Sequence, residues 1–520
     1  MKLISAKEAA DLIENDARIA TVGMTLSSAC EEILTAIEEK FLSSKTPKNL
    51  TLIHAAGQSD RERGIAHLAH KGLLKRVVGS HWGLNPKMMK LIVDEDIEAI
   101  CLPQGQICHL FHAQAAGLPG RLSKVGLGTF IELEGGFMNE KSRKLELLVE
   151  KTSFMGEEYL FYKTLPFDFL LIRGTHIDER GNLTTSQEAM KLEVLHAVLA
   201  AKACGAKVIA QAKYLAANDS LHPKDVIVPG SFIDYCVLST KPSLNHRQSS
   251  SFDLDLALCG DLRLPQQALA PLKLDIRKLI GRIACSFLKE PCLINLGTGI
   301  PNDVVGKIIQ EEGLGNDITI SVESGIFGGV QEGGIDFGIG RNLSAMISHS
   351  DAMLYYNGTG IDATFMGAGE MDASGNVNAT KLGGIAPGAG GFIDITQNAR
   401  RVIFCSTFNA KGLEISCEDG KLRIIKEGSL QKLVSKVQQI SYSSEIARKS
   451  AQEMLYVTER AVFTLGAKAP KLIQIAPGVD LEKDILSLMA FKPEISETLE
   501  VMDSALFKEP AFGLSLKEKK

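Results

Sequence analysis

The chain has 520 residues, 45% of them apolar and 23% charged, with a formal net charge of -5. This is the composition of an ordinary globular protein, long enough for two domains and without the basic field that a nucleic-acid partner needs. No segment reaches the roughly 18 apolar residues of a membrane span, and acids within the first turns of the N-terminus argue against a signal peptide.

Residues 1–240 alternate helical and strand patterns. Residues 7–14 read as a helix, 18–22 as a strand and 50–54 as a strand ending at Ala55-Ala56-Gly57. A helix is expected from about Cys30 to Phe41, with Ile33, Leu34 and Ile37 on one face and Ser27 or Ser28 as its cap. Such alternation predicts βαβ units and a mainly parallel sheet. The apolar run 97–102 reads as a strand, which leaves Gln104 as an amide donor at a strand end. His109 and His112 form an HxxH pair, but no further ligands at metal-binding spacing are evident nearby, and no metal is expected.

Residues 241–275 change character, with Pro242, a polar run from His246 to Ser251, Pro265 and Pro271, and read as a linker. Beyond it the alternation resumes: helix 279–288, strand 292–296, helix 303–311, strand 318–322. The two halves look related. Asp178-Glu-Arg-Gly181-Asn182 matches Asp372-Ala-Ser-Gly375-Asn376, and Val208-Ile209 matches Val402-Ile403 at the same offset of 194 residues. Gly23, after the first strand, parallels Gly297 at a larger offset. The expected architecture is therefore two similar open α/β domains, 1–240 and 276–520, with a site between them. Ten cysteines without a CxxC pair, several of them (Cys236, Cys292, Cys405) inside apolar runs, fit a reducing, cytoplasmic setting. The basic tip at 517–520 reads as a solvated end.

Three stretches can carry chemistry. Glu323 follows the β-branched run ITISV directly and precedes Ser324-Gly325 and Gly328-Gly329. A carboxylate at the carboxyl end of a buried strand stands where α/β sheets bind ligands, and glycines after it let a ligand approach; a helix cap or a salt bridge would use a Glu there equally well. Gly297-Thr298-Gly299-Ile300-Pro301, between a strand and a helix, suits an anion such as a pyrophosphate, although Asn302 stands where GxGxxG needs its third glycine and no GK[ST] follows. The run GGIAPGAGG at 383–391 can offer backbone donors to an oxyanion or let a thin ligand arm pass. No GxSxG elbow is present.

In this order the blocks NLGTGIP, SVESGIFGG, DATFMGAGEMDASGNVNAT and GAGGFIDI resemble the second half of family I coenzyme A transferases, and the long single-chain acetate/propionate and acetoacetate type in particular. PQG at 103–105, KVGLGTF at 124–130, Val228-Pro-Gly230 and YVTERAVF at 456–463 extend the likeness over nearly the whole chain. The family's first glycine-rich turn, GGF-x-x-x-G-x-P, departs here, where the stretch runs from Val22 to Cys30: a Gly and a Pro are lost to Ser28 and Cys30. The resemblance implies a ping-pong transfer of CoA from a short-chain acyl-CoA to a carboxylate, with Glu323 as nucleophile and Gln104 and the Gly391 backbone stabilising oxyanions. It also implies CoA contacts from Gly297, Thr298, Gly299, Ile300, Pro301, Asn376, Asn378, Pro387, Gly388 and Gly390, no bound cofactor, and a homo-oligomer (dimer or tetramer). Glu is already an anion at neutral pH and needs no base to activate it. A thioester hydrolase on the same scaffold, a nucleotide-binding dehydrogenase and a non-enzymatic binding module are the alternatives.

Overall fold

In a computed structural model, residues 1–265, 271–358 and 360–516 are described. Residues 266–270 of the expected linker, and the basic tip 517–520, lie outside them. The chain forms two compact units, one made of Met1–Leu264, Glu323–Asn357 and Gly383–Asp394, the other of Pro265–Val322, Gly358–Leu382 and Ile395–Lys520. Two later segments thus fold with the first 264 residues, so Glu323 belongs to this unit and not to one contiguous 276–520 domain.

The first unit is built on a parallel sheet of β1 (Lys2–Leu3), β2 (Arg18–Thr21), β3 (Leu50–His54), β4 (Leu74–Gly79), β5 (Glu98–Cys101), β6 (Phe169–Asp178), β7 (Lys207–Ala216) and β8 (Tyr235–Leu238). Their order across the sheet is β1-β8-β7-β6-β2-β3-β4-β5, every neighbouring pair parallel. Parallel strands covered on both faces read as continuous apolar runs. Accordingly Ile19, Leu52, Val77, Ile100, Leu171 and Ile209 are all buried. Helix α1 (Glu31–Ser44) buries Ile33, Leu34, Ile37 and Phe41, the stripe its periodicity predicts. Its expected cap is a correction: Cys30 is the capping residue and makes no side-chain cap bond. Ser28 instead takes a left-handed φ of 60°, and Ser27 Oγ donates to the Gln248 carbonyl at 2.6 Å.

Residues 241–264 pack into this unit. His246, Gln248 and Ser249 are buried, and His246 Nε2 stands 3.2 Å from the Glu188 carboxylate that Arg173 grips through two hydrogen bonds of 3.1 and 2.6 Å. Within the run that reads as a linker, the side chains of His246 and Gln248 thus find partners inside the fold.

The second unit carries β9 (Cys292–Leu296), β10 (Ile318–Val322), β11 (Ala363–Gly367), β12 (Arg401–Cys405), β13 (Glu453–Val457), β14 (Ala461–Leu465), β15 (Pro470–Ile475) and β16 (Glu494–Val501). They run β10-β9-β11-β12-β13-β14-β15-β16, parallel as far as β13. The core of this unit includes Ile283, Ile294, Phe365, Ile403 and Val457. The internal repeat holds to the residue. Val208 pairs with Leu170 and Ile209 with Leu171 in the first unit; Val402 pairs with Thr364 and Ile403 with Phe365, each 194 positions later, in the second. The Asp-x-x-Gly-Asn turn is also one device used twice. Asp178 Oδ1 accepts from the backbone of Arg180 and Asn182, and Asp372 Oδ1 accepts from that of Ser374 and Asn376, all within 3.0 Å. The chain is thus two variations on one α/β fold.

Candidate active site

Glu323 follows the last residue of β10 and is 7% exposed. The turn after it is fixed by its backbone. Gly325 takes φ +100°, and its carbonyl accepts the Ile347 N–H at 2.9 Å. Ser324 Oγ donates to the Gly338 carbonyl at 2.6 Å. Ile326–Phe327 then pairs antiparallel with Ala345–Met346. A Cβ on Gly325 would lie 2.2 Å from the Ile347 carbonyl oxygen, in a backbone conformation that side chains resist. Gly325→Ala should therefore cost on the order of 3 kcal/mol, combining left-handed strain with overpacking. Urea unfolding should show an earlier midpoint; an unchanged midpoint would mean that this turn is not built as described.

Gln104 does not end a strand. β5 stops at Cys101, and Gln104 is the first residue of α2 (Gln104–Ala115), after Pro103. The strand reading extended the apolar run Ile97 to Leu102 too far, because a helix that is buried nearly all round shows no polar face to mark its start. The backbone N–H of Gln104 donates to the Gly390 carbonyl at 3.0 Å. Gly390 N–H in turn donates to Ser80 at 2.9 Å, and Trp82 N–H donates to Pro387 at 2.6 Å. Gly388 sits at φ +83°, where a Cβ would be 2.4 Å from the Ser80 carbonyl oxygen. The glycine-rich run is thus laid tightly along residues 80–82 and the start of α2, and the Gly391 N–H takes part in none of these bonds.

Asp394 completes the joint. It is buried and accepts from the Gly105 N–H at 2.9 Å, Gln106 Nε2 at 2.8 Å and Asn357 Nδ2 at 3.1 Å. Burial lifts its carboxyl above the usual range, against the pull of these donors. A Cβ on Gly105 would stand 2.7 Å from its Oδ1, which explains the glycine of the PQG block.

Two residues that sequence reasoning missed stand in line behind the Gln104 side chain. Its Nε2 lies 2.8 Å from His349 Nε2, and His349 Nδ1 lies 2.7 Å from Glu193 Oε2. Neither stands in a motif, and 156 positions separate them. Cys108, Glu193 and His349 also offer three atoms within 4.8 Å of one another, the group among the described residues with metal-binding spacing. Burial first, and then the charges of Glu193 and Asp394, push the Cys108 thiol well above its usual range. A protonated thiol is a poor ligand, and the other two side chains are already bonded to each other. The HxxH pair is not in that group: the His109 and His112 rings meet edge-on, 6.0 Å between centroids, and His112 stacks on His196.

In the second unit, Thr298 and Gly299 are exposed, with Gly299 at φ +84° in open space, ahead of a wide turn at Pro301–Val305 that continues as helix Gly306–Glu311. Gly297 is buried, and a Cβ there would meet Met366 Sδ at 2.5 Å. The amides of Asn376 and Asn378 are occupied. Asn376 bonds Asp372 and Ser444, and Asn378, fully buried, bonds Glu370, Thr380 and Lys381. They hold the shape of their turn: Asn378 Nδ2 donates to both Glu370 and Lys381, and Asn376 Nδ2 donates to Asp372.

The Coenzyme A transferase family profile matches residues 3–239. The chain is 42% identical to the caffeate CoA-transferase of Acetobacterium woodii, over 99% of this chain and 98% of that protein. It is 36% identical to the acetate CoA-transferase YdiF of Escherichia coli (strain K12), over 99% and 97%. A crystal structure of the acyl-CoA transferase YdiF from E. coli O157:H7, in a thioester complex with CoA, matches with a TM-score of 0.92 at 34% identity, covering 100% of this chain and 98% of that one. Among the described residues no helix is long and apolar enough to cross a membrane.

Proposed function

The chain belongs to the coenzyme A transferase family, and we propose that it moves CoA from a short-chain acyl-CoA to a free carboxylate through a covalent bond to Glu323. The observation that carries this reading is the buried carboxylate on a rigid glycine turn, in the same compact unit as Gln104 and Gly391. A Glu323 oxygen attacks the thioester carbonyl. The C–S bond breaks, leaving a mixed anhydride and the CoA thiolate. The thiolate attacks the glutamyl carbonyl, expels the first carboxylate and leaves glutamyl-CoA. An incoming carboxylate then runs the two steps in reverse. Each attack develops charge on a carbonyl oxygen, and the Gln104 amide and Gly391 N–H are the donors assigned to it.

Binding energy from the CoA moiety remote from the thioester drives formation of the anhydride. In this reading Gly297, Thr298, Gly299, Ile300, Pro301, Pro387, Gly388 and Gly390 are the CoA contacts. Asn376 and Asn378 serve it through the turn they hold. No resident cofactor is required, because the carboxylate and the CoA thiol are the reacting groups. Ten free thiols suit the cytoplasm, and a dimer or tetramer completes the reading.

Acetate, propionate and acetoacetate are the proposed carboxylates, and the caffeate-named relative adds an aromatic acid as the competing case. A panel of acyl-CoA donors against these four acceptors should yield the matching new acyl-CoA fastest with the short acids. Release of free CoA at the same rate with and without acceptor would support a hydrolase instead.

A further inference from the structure

From the buried contacts behind Gln104 we infer that Glu193 and His349 are positioning residues that aim the Gln104 amide; this rests on the reading of Gln104 as the oxyanion donor. An amide nitrogen can only donate, so the 2.8 Å contact makes His349 Nε2 an acceptor. The ring proton therefore sits on Nδ1, where the Glu193 carboxylate accepts it at 2.7 Å. The three side chains form a row of one polarity, from the Gln104 amide through the imidazole to the carboxylate. Glu193 and His349 have fully buried side chains, and water does not compete for these bonds. In such surroundings successive hydrogen bonds polarise one another.

The row uses one of the two Gln104 N–H groups and directs the other. It also fixes which end of the amide is which. With the amide turned over, its oxygen would face a nitrogen lone pair of neutral His349, which is repulsive. Gln104 Oε1 lies 3.4 Å from Ser80 Oγ, whose proton goes to the Ala55 carbonyl, and the Gln104 backbone is pinned to Gly390. His349 is also joined to the nucleophile's turn. It begins α3 (His349–Gly358) two residues after Ile347, whose N–H is bonded to the Gly325 carbonyl. One imidazole thus relates the orientation of the proposed donor to the turn that carries the proposed nucleophile. Cys108 Sγ lies against the same ring, 3.5 Å from His349 Nδ1 and 3.9 Å from Nε2.

The test is a double-mutant cycle on turnover with KM for the acyl-CoA measured alongside. Glu193→Gln keeps the shape and removes the charge that fixes the tautomer; His349→Leu removes the row; His349→Gln restores an acceptor for the amide and a donor for the carboxylate. Glu193→Gln and His349→Leu should lower kcat on the order of tenfold to a hundredfold with KM little changed, since misaiming a group by about 1 Å has costs of that size. His349→Gln should recover part of the loss. In a Gln104→Ala background Glu193→Gln should cost almost nothing further, because residues that act as a unit are not additive. If Gln104→Ala is harmful but Glu193→Gln is harmless, or multiplies fully with it, the positioning role is overturned while Gln104 keeps its own. If Gln104→Ala is itself harmless, the reading of Gln104 fails first. Should His349→Leu not fold, the Glu193→Gln cycle decides alone.

Discussion

Glu323→Gln should abolish CoA transfer almost completely while leaving the fold and CoA binding in place. The change is nearly isosteric at a site that is 7% exposed, so the packing around the turn is kept. What is lost is the anion. A carboxamide has no charged oxygen to attack a thioester. Glu323→Asp keeps the anion but withdraws it by one methylene. Because Gly325 and Ile347 fix the backbone of this turn, the chain cannot advance to compensate. Misplacement by about 1 Å costs on the order of a hundredfold, so Asp should retain measurable transfer where Gln retains almost none. Substantial transfer by the Gln variant would remove Glu323 from the chemistry.

Gln104→Ala should lower turnover by roughly a hundred- to a thousandfold, the 2.7–4 kcal/mol that one oxyanion donor is worth. The fold should survive. The backbone bond from Gln104 to Gly390 and the Asp394 anchor at Gly105 do not involve the deleted side chain. The cost to stability is that of leaving His349 Nε2 without its donor, about 1–3 kcal/mol. A variant with near-normal turnover would show that the amide plays no part in the transition state.

The sequence discloses this molecule unevenly, for physical reasons. Strands 50–54, 292–296 and 318–322 are read to the residue, because buried parallel strands are short unbroken apolar runs ended by glycine or polar residues. Glu323 is visible for the same reason: a carboxylate against such a run stands out. The duplication is legible because the Asp-x-x-Gly-Asn turn needs those residue types wherever it occurs. Gln104 is found as a residue but misplaced on a strand, since the buried α2 lacks the alternation that reveals a helix. The serines at 27 and 28 mislead because capping depends on φ, and Ser28 lies in the left-handed region. Glu193 and His349 are invisible: a contact across 156 positions leaves no local pattern. Nor does composition show that residues 241–264 fold back onto Arg173 and Glu188, because a buried polar run and a solvated one are spelled alike.

The most direct measurement of the central claim is the intact mass of the enzyme mixed with an acyl-CoA in the absence of any acceptor. The protein should gain the mass of CoA less one water, located on the peptide that carries Glu323, as free carboxylate appears in solution. Adding a second carboxylate should discharge the adduct as a new acyl-CoA, and double-reciprocal plots over both substrates should be parallel. An unmodified Glu323 throughout turnover, with intersecting plots, would mean that CoA passes directly between substrates in a ternary complex, contradicting the covalent route.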